Sequence, residues 1–293
     1  MYKLVAIDLD GTLLNSYGDI TKRNENIIKE IISNGIEVVL TSGRTNSAIE
    51  NFALQIGADR YLISGNGAVV YDLHDRKTIY NKYLSKEKVL LISKICEENT
   101  VYYNIYTEHS IITKSLNFNT LYYHSENQKK AESQRTQINI VENIPKYIEK
   151  MENSNFLKIT VCDKDKTIFN GILTKLKENK QVDVLEVSHM SRKIVQFGTE
   201  EELIEYYYTE ITNKNVNKWN ALKFLADKLK IKQEEIMAIG DNVNDIEMIK
   251  NAGYGIAMGN SSPQVKKYAK EVTLTNDEEG VAEILKRHLN DFI

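Results

Sequence analysis

The sequence has few of the features that mark secreted, disulfide-stabilised or membrane proteins. Its 293 residues include only two cysteines and two prolines, and the formal net charge is −3. Cys96 and Cys162 are distant in the sequence and have no spacing typical of a zinc site, so we expect free thiols in a reducing compartment. No apolar run approaches the roughly 20 residues of a membrane-spanning helix. These absences favour a cytoplasmic protein that does not bind a membrane.

The near balance of charge narrows the class of partner. With 38 basic and 41 acidic residues, the chain lacks the basic excess typical of nucleic-acid-binding proteins, so we expect no nucleic acid partner. A small anionic ligand is compatible with this balance, because a phosphate site needs local cations and backbone N–H groups rather than a positive net charge. The composition leaves the oligomeric state open between a monomer and a homodimer.

Both ends of the chain alternate short apolar runs with amphipathic stretches. The predicted strands cover residues 3–9, 37–41, 61–64, 236–240, 254–258 and 272–274. The predicted helices cover residues 22–34, 45–56, 217–229, 245–252 and 278–289. Strands and helices in alternation are the pattern of a parallel sheet, so the expected fold class is α/β, with a Rossmann-like parallel-sheet core and helices on both faces.

The middle of the chain lacks this alternation. Its predicted elements are a helix over residues 86–98, a hairpin over 101–114, strands over 156–162 and 182–187, and a helix over 166–178. A capping box that begins at Thr199 predicts a further helix through Tyr206, whereas residues 119–140 match no element. A chain of this length usually forms more than one domain. We therefore predict a core formed by residues 1–83 and 213–293, interrupted by an inserted α+β domain over residues 84–212.

The strongest chemical motif is Asp8-Leu9-Asp10-Gly11-Thr12, at the end of the first predicted strand. Ligands of open α/β sheets bind beyond the carboxyl ends of the strands, where these carboxylates fall. One of two such aspartates can attack phosphorus, and the other can exchange protons with the leaving group and with water. On its own, an Asp-Gly pair is also typical of a simple turn.

A second acidic motif, Gly240-Asp241-Asn242-Val243-Asn244-Asp245, follows a predicted strand of the second half. Carboxylate oxygens on a rigid turn suit Mg²⁺, which takes one or two carboxylates, retains waters and contacts a substrate phosphate. Helix capping by Asp and Asn explains such a turn about equally well when the motif is taken alone.

Two further elements could hold a phosphate. Ser42, Gly43 and Arg44 follow the second predicted strand and offer a hydroxyl and backbone donors at the start of a helix. Lys218 opens the predicted helix after the insertion and could hold a phosphate as a point charge. Alone, a serine here is commonly a helix cap and a lysine is commonly a solvated surface group.

The four elements, in this order, resemble the motifs of the haloacid dehalogenase superfamily of phosphotransferases. The α/β insertion between the second and third motifs is similar to the Cof-like branch, as are residues 64–68, 256–260 and 276–282. The resemblance covers both segments of the core, and the insertion matches by position alone. It implies a Mg²⁺-dependent phosphatase that acts on a small phosphorylated metabolite through an aspartyl-phosphate intermediate.

The resemblance also implies a role for each motif residue. Asp8 is expected to be the nucleophile and a metal ligand, and Asp10 the general acid and base with its backbone carbonyl on the metal. Asp241 is expected to bind Mg²⁺ directly and Asp245 to support it. The other expected site residues hold the phosphoryl oxygens (Ser42, Gly43, Lys218 and Asn244) or lie on the substrate side (Arg44 and Asn66).

The chain departs from the family pattern in three places. Trp219 follows the third-motif lysine where glycine is usual, and we expect it to pack into the core. Ser42 replaces the usual threonine and keeps the hydroxyl. The insertion is longer than usual, with the extra length expected around residues 193–208. We expect this insertion to act as a lid that selects the substrate.

Two other functions stay open at the level of sequence. A phosphomutase of the phosphomannomutase type would need cations in the insertion for a second phosphate, and the only arginines there are Arg135 and Arg192. A non-catalytic sensor of a phosphorylated ligand would not need both Asp8 and Asp10. The substrate is also open among sugar phosphates, a vitamin-precursor phosphate and a phosphorylated sugar acid.

Overall fold

The structure, a computed structural model, describes residues 1–128, 132, 135–152, 155–185, 190–197 and 200–292. The chain divides into two compact units. The first joins Met1–Asn81 to Val216–Ile293, and the second is Lys82–Asn215.

The described residues form strands and α-helices that are numbered in chain order. The strands are β1 (Leu4–Asp8), β2 (Glu37–Thr41), β3 (Tyr61–Ser64), β4 (Val69–Asp72), β5 (Lys77–Asn81), β6 (Tyr102–Thr107), β7 (Ser110–Thr113), β8 (Gln137–Ile140), β9 (Phe156–Asp163), β10 (Val182–Val184), β11 (Ser191–Phe197), β12 (Glu200–Asn213), β13 (Ile236–Gly240), β14 (Tyr254–Ala257) and β15 (Glu271–Val272). The α-helices are α1 (Lys22–Ser33), α2 (Asn46–Ile56), α3 (Lys86–Glu98), α4 (Phe118–Gln128), α5 (Ile144–Lys150), α6 (Lys166–Glu178), α7 (Lys218–Leu229), α8 (Ile246–Asn251), α9 (Pro263–Lys266) and α10 (Gly280–Arg287). Within the described ranges, no helix combines the length and the apolar character needed to cross a membrane.

The first unit contains an eight-stranded sheet in the order β15-β14-β13-β1-β2-β3-β4-β5. The strands from β15 to β3 are parallel, and β4 and β5 add an antiparallel edge. β1 lies between β13 and β2, with Ile7 beside Ile239 and Asp8 beside Thr41. The three carboxyl ends that carry the predicted motifs are therefore neighbours, and the predicted parallel α/β core is confirmed.

Alternation along β1 explains why this sheet is covered on both faces. Val5 and Ile7 belong to one apolar cluster, which includes residues of α1, α2 and α10. Leu4 and Ala6 belong to another, which includes residues of α7. All four side chains are fully buried, as expected for a central parallel strand whose successive side chains point to opposite faces.

The first helix shows how local sequence fixes an element. The Thr21 side chain accepts a hydrogen bond from the Asn24 backbone N–H (3.3 Å), which caps the start of α1 as predicted. Ile27, Ile28 and Ile31 form its buried face. The helix ends before Gly35, whose φ of +84° favours glycine.

The second unit is an α+β domain built on a mostly antiparallel sheet. Its strand order is β10-β12-β9-β6-β7-β8, and β11 pairs with β12 outside that path. The β7–β8 pair is parallel. One apolar cluster joins the sheet to α3, α5 and α6, through residues such as Ile92, Ile148 and Phe169.

The predicted helix through Tyr206 is wrong. Residues 200–213 form the long strand β12, and its first half pairs with β11 in an antiparallel hairpin. Exposure alternates along it, with Leu203 exposed and Ile204 and Tyr206 buried. This period of two overrides the capping-box pattern. Thr199, the expected cap, lies outside the described residues. The predicted extra length around residues 193–208 coincides with this hairpin.

Two other stretches of the second unit need correction. The strand predicted over residues 182–187 ends at Val184 in the structure, and residues 186–189 lie outside the described part of the chain. Residues 119–140, which matched no element, include most of α4 and all of β8.

α4 packs on its sheet partly through buried polar groups, which explains why its sequence shows no clear apolar stripe. Asn119 and Asn104 exchange two amide hydrogen bonds, at 2.9 and 3.2 Å. The Asn119 amide also donates to the Tyr106 hydroxyl at 2.9 Å. Asn104 is fully buried, so these bonds satisfy groups that water cannot reach.

Replacing Asn119 with alanine is expected to lower the free energy of unfolding by about 1–3 kcal/mol, because Asn104 would remain buried without its partner. Chemical denaturation of the two proteins measures this difference. Asn117→Ala is the matched control, since Asn117 is exposed, and we expect a change within about 0.5 kcal/mol. Equal stability of Asn119→Ala and the wild type would contradict this account of α4.

Candidate active site

Asp8 ends β1, and the chain turns back sharply behind it. The backbone N–H of Leu13 donates to the Asp8 carbonyl at 3.3 Å. Gly11 has a φ of +81°, and a Cβ there would lie 2.6 Å from Oδ2 of Asp241. Only glycine fits this turn without displacing the Asp241 side chain.

Asp8, Asp241 and Asp245 form a cluster around the Lys218 ammonium. The three carboxylates each offer an oxygen within 4.8 Å of the others. Lys218, fully buried, donates to Oδ1 of Asp8 and to Oδ1 of Asp245, the latter at 2.6 Å. Three negative groups therefore share one positive group at the carboxyl ends of β1 and β13.

Asp241 and Asp245 have different surroundings. Oδ2 of Asp245 accepts backbone N–H bonds from Asp241 and Asn242, both at 3.0 Å, and its Oδ1 binds Lys218. Both oxygens of Asp245 are therefore engaged by protein donors. Oδ1 of Asp241 accepts from the Thr12 hydroxyl at 2.9 Å. Asp241 is thus better placed than Asp245 to give an oxygen to a cation.

The excess of negative charge shifts the pKa values of the groups in the cluster. Burial, and then the nearby Asp245, raise the pKa of Asp8 well above its ordinary value, against the opposing effect of Lys218. Burial and Asp245 raise the pKa of Asp241 to about 7. Burial would lower the pKa of Lys218, but the adjacent Asp245 and Asp8 outweigh it and raise that pKa. One ammonium does not neutralise the three carboxylates.

These residues fit a divalent cation with oxygen ligands. Asp8 and Asp241 supply the one or two carboxylates that Mg²⁺ typically takes, and the cluster has charge left for a cation to neutralise. The described residues of the group include no histidine or cysteine ligand, which favours a hard ion over zinc.

Asp10 and Arg44 form a bidentate ion pair. Nε of Arg44 donates to Oδ2 of Asp10 at 2.8 Å, and a terminal guanidinium nitrogen donates to Oδ1 at 2.5 Å. The guanidinium carbon lies 5.6 Å from the centroid of the Phe52 ring. Arg44, predicted on the substrate side, therefore contacts the predicted acid and base.

The predicted phosphate-binding residues lie around the same strand ends. Ser42 follows Thr41, which lies beside Asp8 in the sheet. Its hydroxyl accepts the backbone N–H of Arg44 at 3.2 Å across the Ser42-Gly43-Arg44 turn. Asn244 lies in the turn that carries Asp245, and its amide donates to Oδ1 of Asn66 at 2.9 Å.

Residues 5–285 match the haloacid dehalogenase-like hydrolase family. The chain belongs to that family. The resemblance inferred from four short motifs is therefore confirmed over nearly the whole sequence.

Named relatives of this hydrolase are phosphatases. Phosphatase YwpJ of Bacillus subtilis (strain 168) is 31% identical over 296 residues, which cover 98% of this chain and 100% of the relative. The 5-amino-6-(5-phospho-D-ribitylamino)uracil phosphatase YcsE of the same organism is 28% identical, over 97% of this chain and 94% of its own. A solved haloacid dehalogenase-like hydrolase from B. subtilis superposes with a TM-score of 0.79 at 28% identity, covering 97% of this chain and 99% of its own. The chain is thus a phosphatase of this family.

Trp219, the departure of this phosphatase beside Lys218, is packed as predicted. It is 8% exposed and belongs to the apolar cluster that includes Ala221 and Leu222. The substitution for glycine therefore adds core contacts at the start of α7.

Two contacts of the site involve residues to which the sequence assigned no role. Thr12 is fully buried and holds Asp241. The Asn260 side chain donates to the Gly11 carbonyl at 2.8 Å. Both residues lie within the motifs that carried the family resemblance, so their position in a motif was their only signal in the sequence.

Proposed function

We propose that this phosphatase requires Mg²⁺ and transfers the phosphoryl group of a small phosphorylated metabolite to Asp8 and then to water. The observation that carries the proposal is the buried cluster at the end of β1, where Lys218 contacts Asp8 and the carboxylates outnumber the cations. Phosphoryl transfer depends mainly on positioning and charge neutralisation, and this cluster is suited to both.

In the first step, an oxygen of Asp8 attacks phosphorus, an aspartyl phosphate forms and the bond to the ester oxygen breaks. Asp10 gives its proton to the departing oxygen. In the second step Asp10 takes a proton from water as that water attacks phosphorus, and Asp8 and inorganic phosphate are released. Bound at Asp8, Asp241 and the Asp10 carbonyl, Mg²⁺ would supply neutralisation of the phosphoryl charge.

The remaining motif residues hold the phosphoryl oxygens. Lys218 does so with a buried positive charge, and Ser42 with its hydroxyl. The backbone N–H of Gly43 and the amide of Asn244 add neutral donors. Because a carboxylate that binds Arg44 through both oxygens is ionised, Asp10 has to release at least one oxygen from Arg44 before it can carry a proton.

A screen of phosphorylated metabolites with Mg²⁺ tests the proposal. The panel contains sugar phosphates, phosphorylated sugar acids and vitamin-precursor phosphates, including the compound named for the relative YcsE. Inorganic phosphate is the expected product. An isomerised sugar phosphate would indicate the phosphomutase, and binding without turnover across the panel would indicate the sensor. The cytoplasmic location remains a prediction.

We also propose that the inserted unit Lys82–Asn215 selects the substrate. Its support is the chain path, since the insertion returns to the core at Val216, two residues before Lys218. Specificity in such enzymes commonly depends on elements that assemble around the site.

Replacing residues 82–215 with a short Gly/Ser linker is expected to remove the ranking among large substrates. Some hydrolysis of p-nitrophenyl phosphate should survive, because the carboxylate cluster lies wholly in the first unit. Steady-state kinetics on four or more metabolites, with a thermal melt to verify folding, measures this. A folded deletion variant that keeps the parent's ranking would contradict substrate selection by the insertion.

A further inference from the structure

The loop of residues 65–67, which follows β3, contacts three separate parts of the phosphate site. Its first contact is with the Ser42-Gly43-Arg44 turn. The backbone N–H of Asn66 donates to the Ser42 carbonyl at 2.9 Å, and that of Gly65 donates to the Arg44 carbonyl at 3.0 Å. The loop therefore fixes the backbone of the turn that presents the Ser42 hydroxyl.

Its second contact is with the turn that carries Asn244 and Asp245. Oδ1 of Asn66 accepts the Asn244 amide at 2.9 Å, across 178 positions of sequence. The Asn66 residue is 7% exposed. Oδ1 of Asn244 is a buried atom for which the described residues provide no hydrogen-bond partner. Among the described residues, the hydrogen bond to Asn66 is therefore the contact that orients the Asn244 amide.

Its third contact is with the start of α7. Gly67 has a φ of +93°, and a Cβ there would lie 2.2 Å from the Asn217 carbonyl oxygen and 2.9 Å from the Lys218 backbone nitrogen. The loop backbone thus packs directly against the residue that caps the helix of Lys218.

The backbone at position 66 explains why asparagine suits it. Asn66 has a φ of +59°, in the left-handed region that glycine and asparagine adopt most readily. Glycine would meet the backbone requirement at least as well. Asparagine adds an amide, and that amide binds Asn244.

We propose that Asn66 is a positioning residue that acts through Asn244, orienting the Asn244 amide toward the transferred phosphoryl group. The inference rests on the proposed function, because it takes Asn244 as a phosphoryl-binding residue. The proposal gives Asn66 a role in positioning the phosphate site, whereas the sequence resemblance placed it on the substrate side.

Two substitutions separate the effect of the Asn66 side chain from the effect of its backbone conformation. Asn66→Gly keeps the left-handed conformation and removes the amide, so we expect kcat/KM to decrease about tenfold with a smaller loss of melting temperature than in Asn66→Ala. Asn66→Ala should lose the same rate and also melt earlier, because alanine is strained at this φ. A purely structural role for the loop would leave Asn66→Gly fully active.

A double-mutant cycle tests whether Asn66 acts through Asn244. Asn244→Ala should reduce kcat/KM and weaken binding of inorganic phosphate in the presence of Mg²⁺, measured by calorimetry. In that background, Asn66→Gly should change either quantity by less than about twofold. Independent effects that multiply would overturn the inference.

The outcomes also separate this inference from the proposed function. If Asn244→Ala is impaired and Asn66→Gly multiplies its effect, only the positioning role of Asn66 fails. If Asn244→Ala matches the wild type in both turnover and phosphate binding, the phosphoryl-binding role of Asn244 fails and the role of Asn66 with it. If the wild type hydrolyses nothing in the panel, the proposed function fails, and phosphate binding by the four proteins still decides the coupling.

Discussion

Replacing Asp8 with asparagine is expected to lower kcat by about 10³-fold or more, because the variant lacks the oxygen nucleophile that forms the aspartyl phosphate. Asparagine keeps the shape of the side chain and an oxygen that can accept from Lys218. Steady-state kinetics on the best metabolite of the screen measures the loss. A variant that retains more than about a tenth of the wild-type rate would contradict the role of Asp8.

We expect the Asp8→Asn variant to fold, so that loss of structure does not account for its loss of activity. The raised pKa of Asp8 means that its ionised form is disfavoured in the metal-free fold, so a neutral isostere removes repulsion from Asp241 and Asp245. The metal-free variant should therefore melt at or above the wild-type temperature. Asp59→Asn, at an exposed carboxylate of the same unit, is the matched control and should keep full activity.

Removal of Mg²⁺ with a chelator is expected to abolish turnover, and addition of excess Mg²⁺ to restore it. Attack of one anion on another requires the charge to be neutralised, and Lys218 alone does not neutralise the three carboxylates. Asp241→Asn should raise the half-saturating Mg²⁺ concentration about tenfold or more. Asp245→Asn should raise it less, because both Asp245 oxygens already bind protein donors. Equal activity in chelator and in Mg²⁺ would rule out the metal requirement.

The same metal should change the dependence of stability on pH. A carboxyl whose pKa is raised in the folded state, such as Asp241 at about 7, takes up a proton on folding. Its contribution to metal-free stability is greatest below its ordinary pKa and is lost as the pH rises through about 7. Mg²⁺ competes with this proton, so the increase in melting temperature with Mg²⁺ should be larger at about pH 8 than at about pH 6. Scanning calorimetry at both pH values measures it.

The core was predictable because its elements carry strong local patterns. β2, β3 and β13 have the predicted bounds, and their positions in a parallel sheet follow from the alternation with helices. Buried runs such as Leu4–Asp8 are short and bounded by an Asp-Gly turn, and these two features together define both the type and the length of the element.

The hairpin of the inserted unit was missed because two local patterns compete there. The acidic residues 200–202 suit the first turn of a helix, whereas the alternation of Leu203, Ile204, Glu205 and Tyr206 suits a strand. Pairing of β12 with β11 and β9 decides in favour of the strand, and this pairing is a tertiary effect that local propensity does not contain.

The candidate site shows the same division between local and distant information. The motifs predicted the acidic residues at the carboxyl ends of parallel strands, which the sheet brings together. They predicted Lys218 at the start of a helix, where the structure has it. The Arg44–Asp10 pair and the Asn244–Asn66 bond join side chains from different motifs. Their geometry depends on side-chain rotamers that only the folded chain determines, so neither contact could be predicted from local sequence patterns.

Trapping the phosphoenzyme is the most direct test of the central claim. In a brief incubation of the wild-type protein with substrate and Mg²⁺, followed by acid quench and labelled borohydride, an aspartyl phosphate is reduced to homoserine and takes up the label. We expect label at position 8 of the digested protein, dependent on substrate and absent from Asp8→Asn. Turnover of the wild type with no label at position 8, or with label at another residue, would contradict transfer through Asp8.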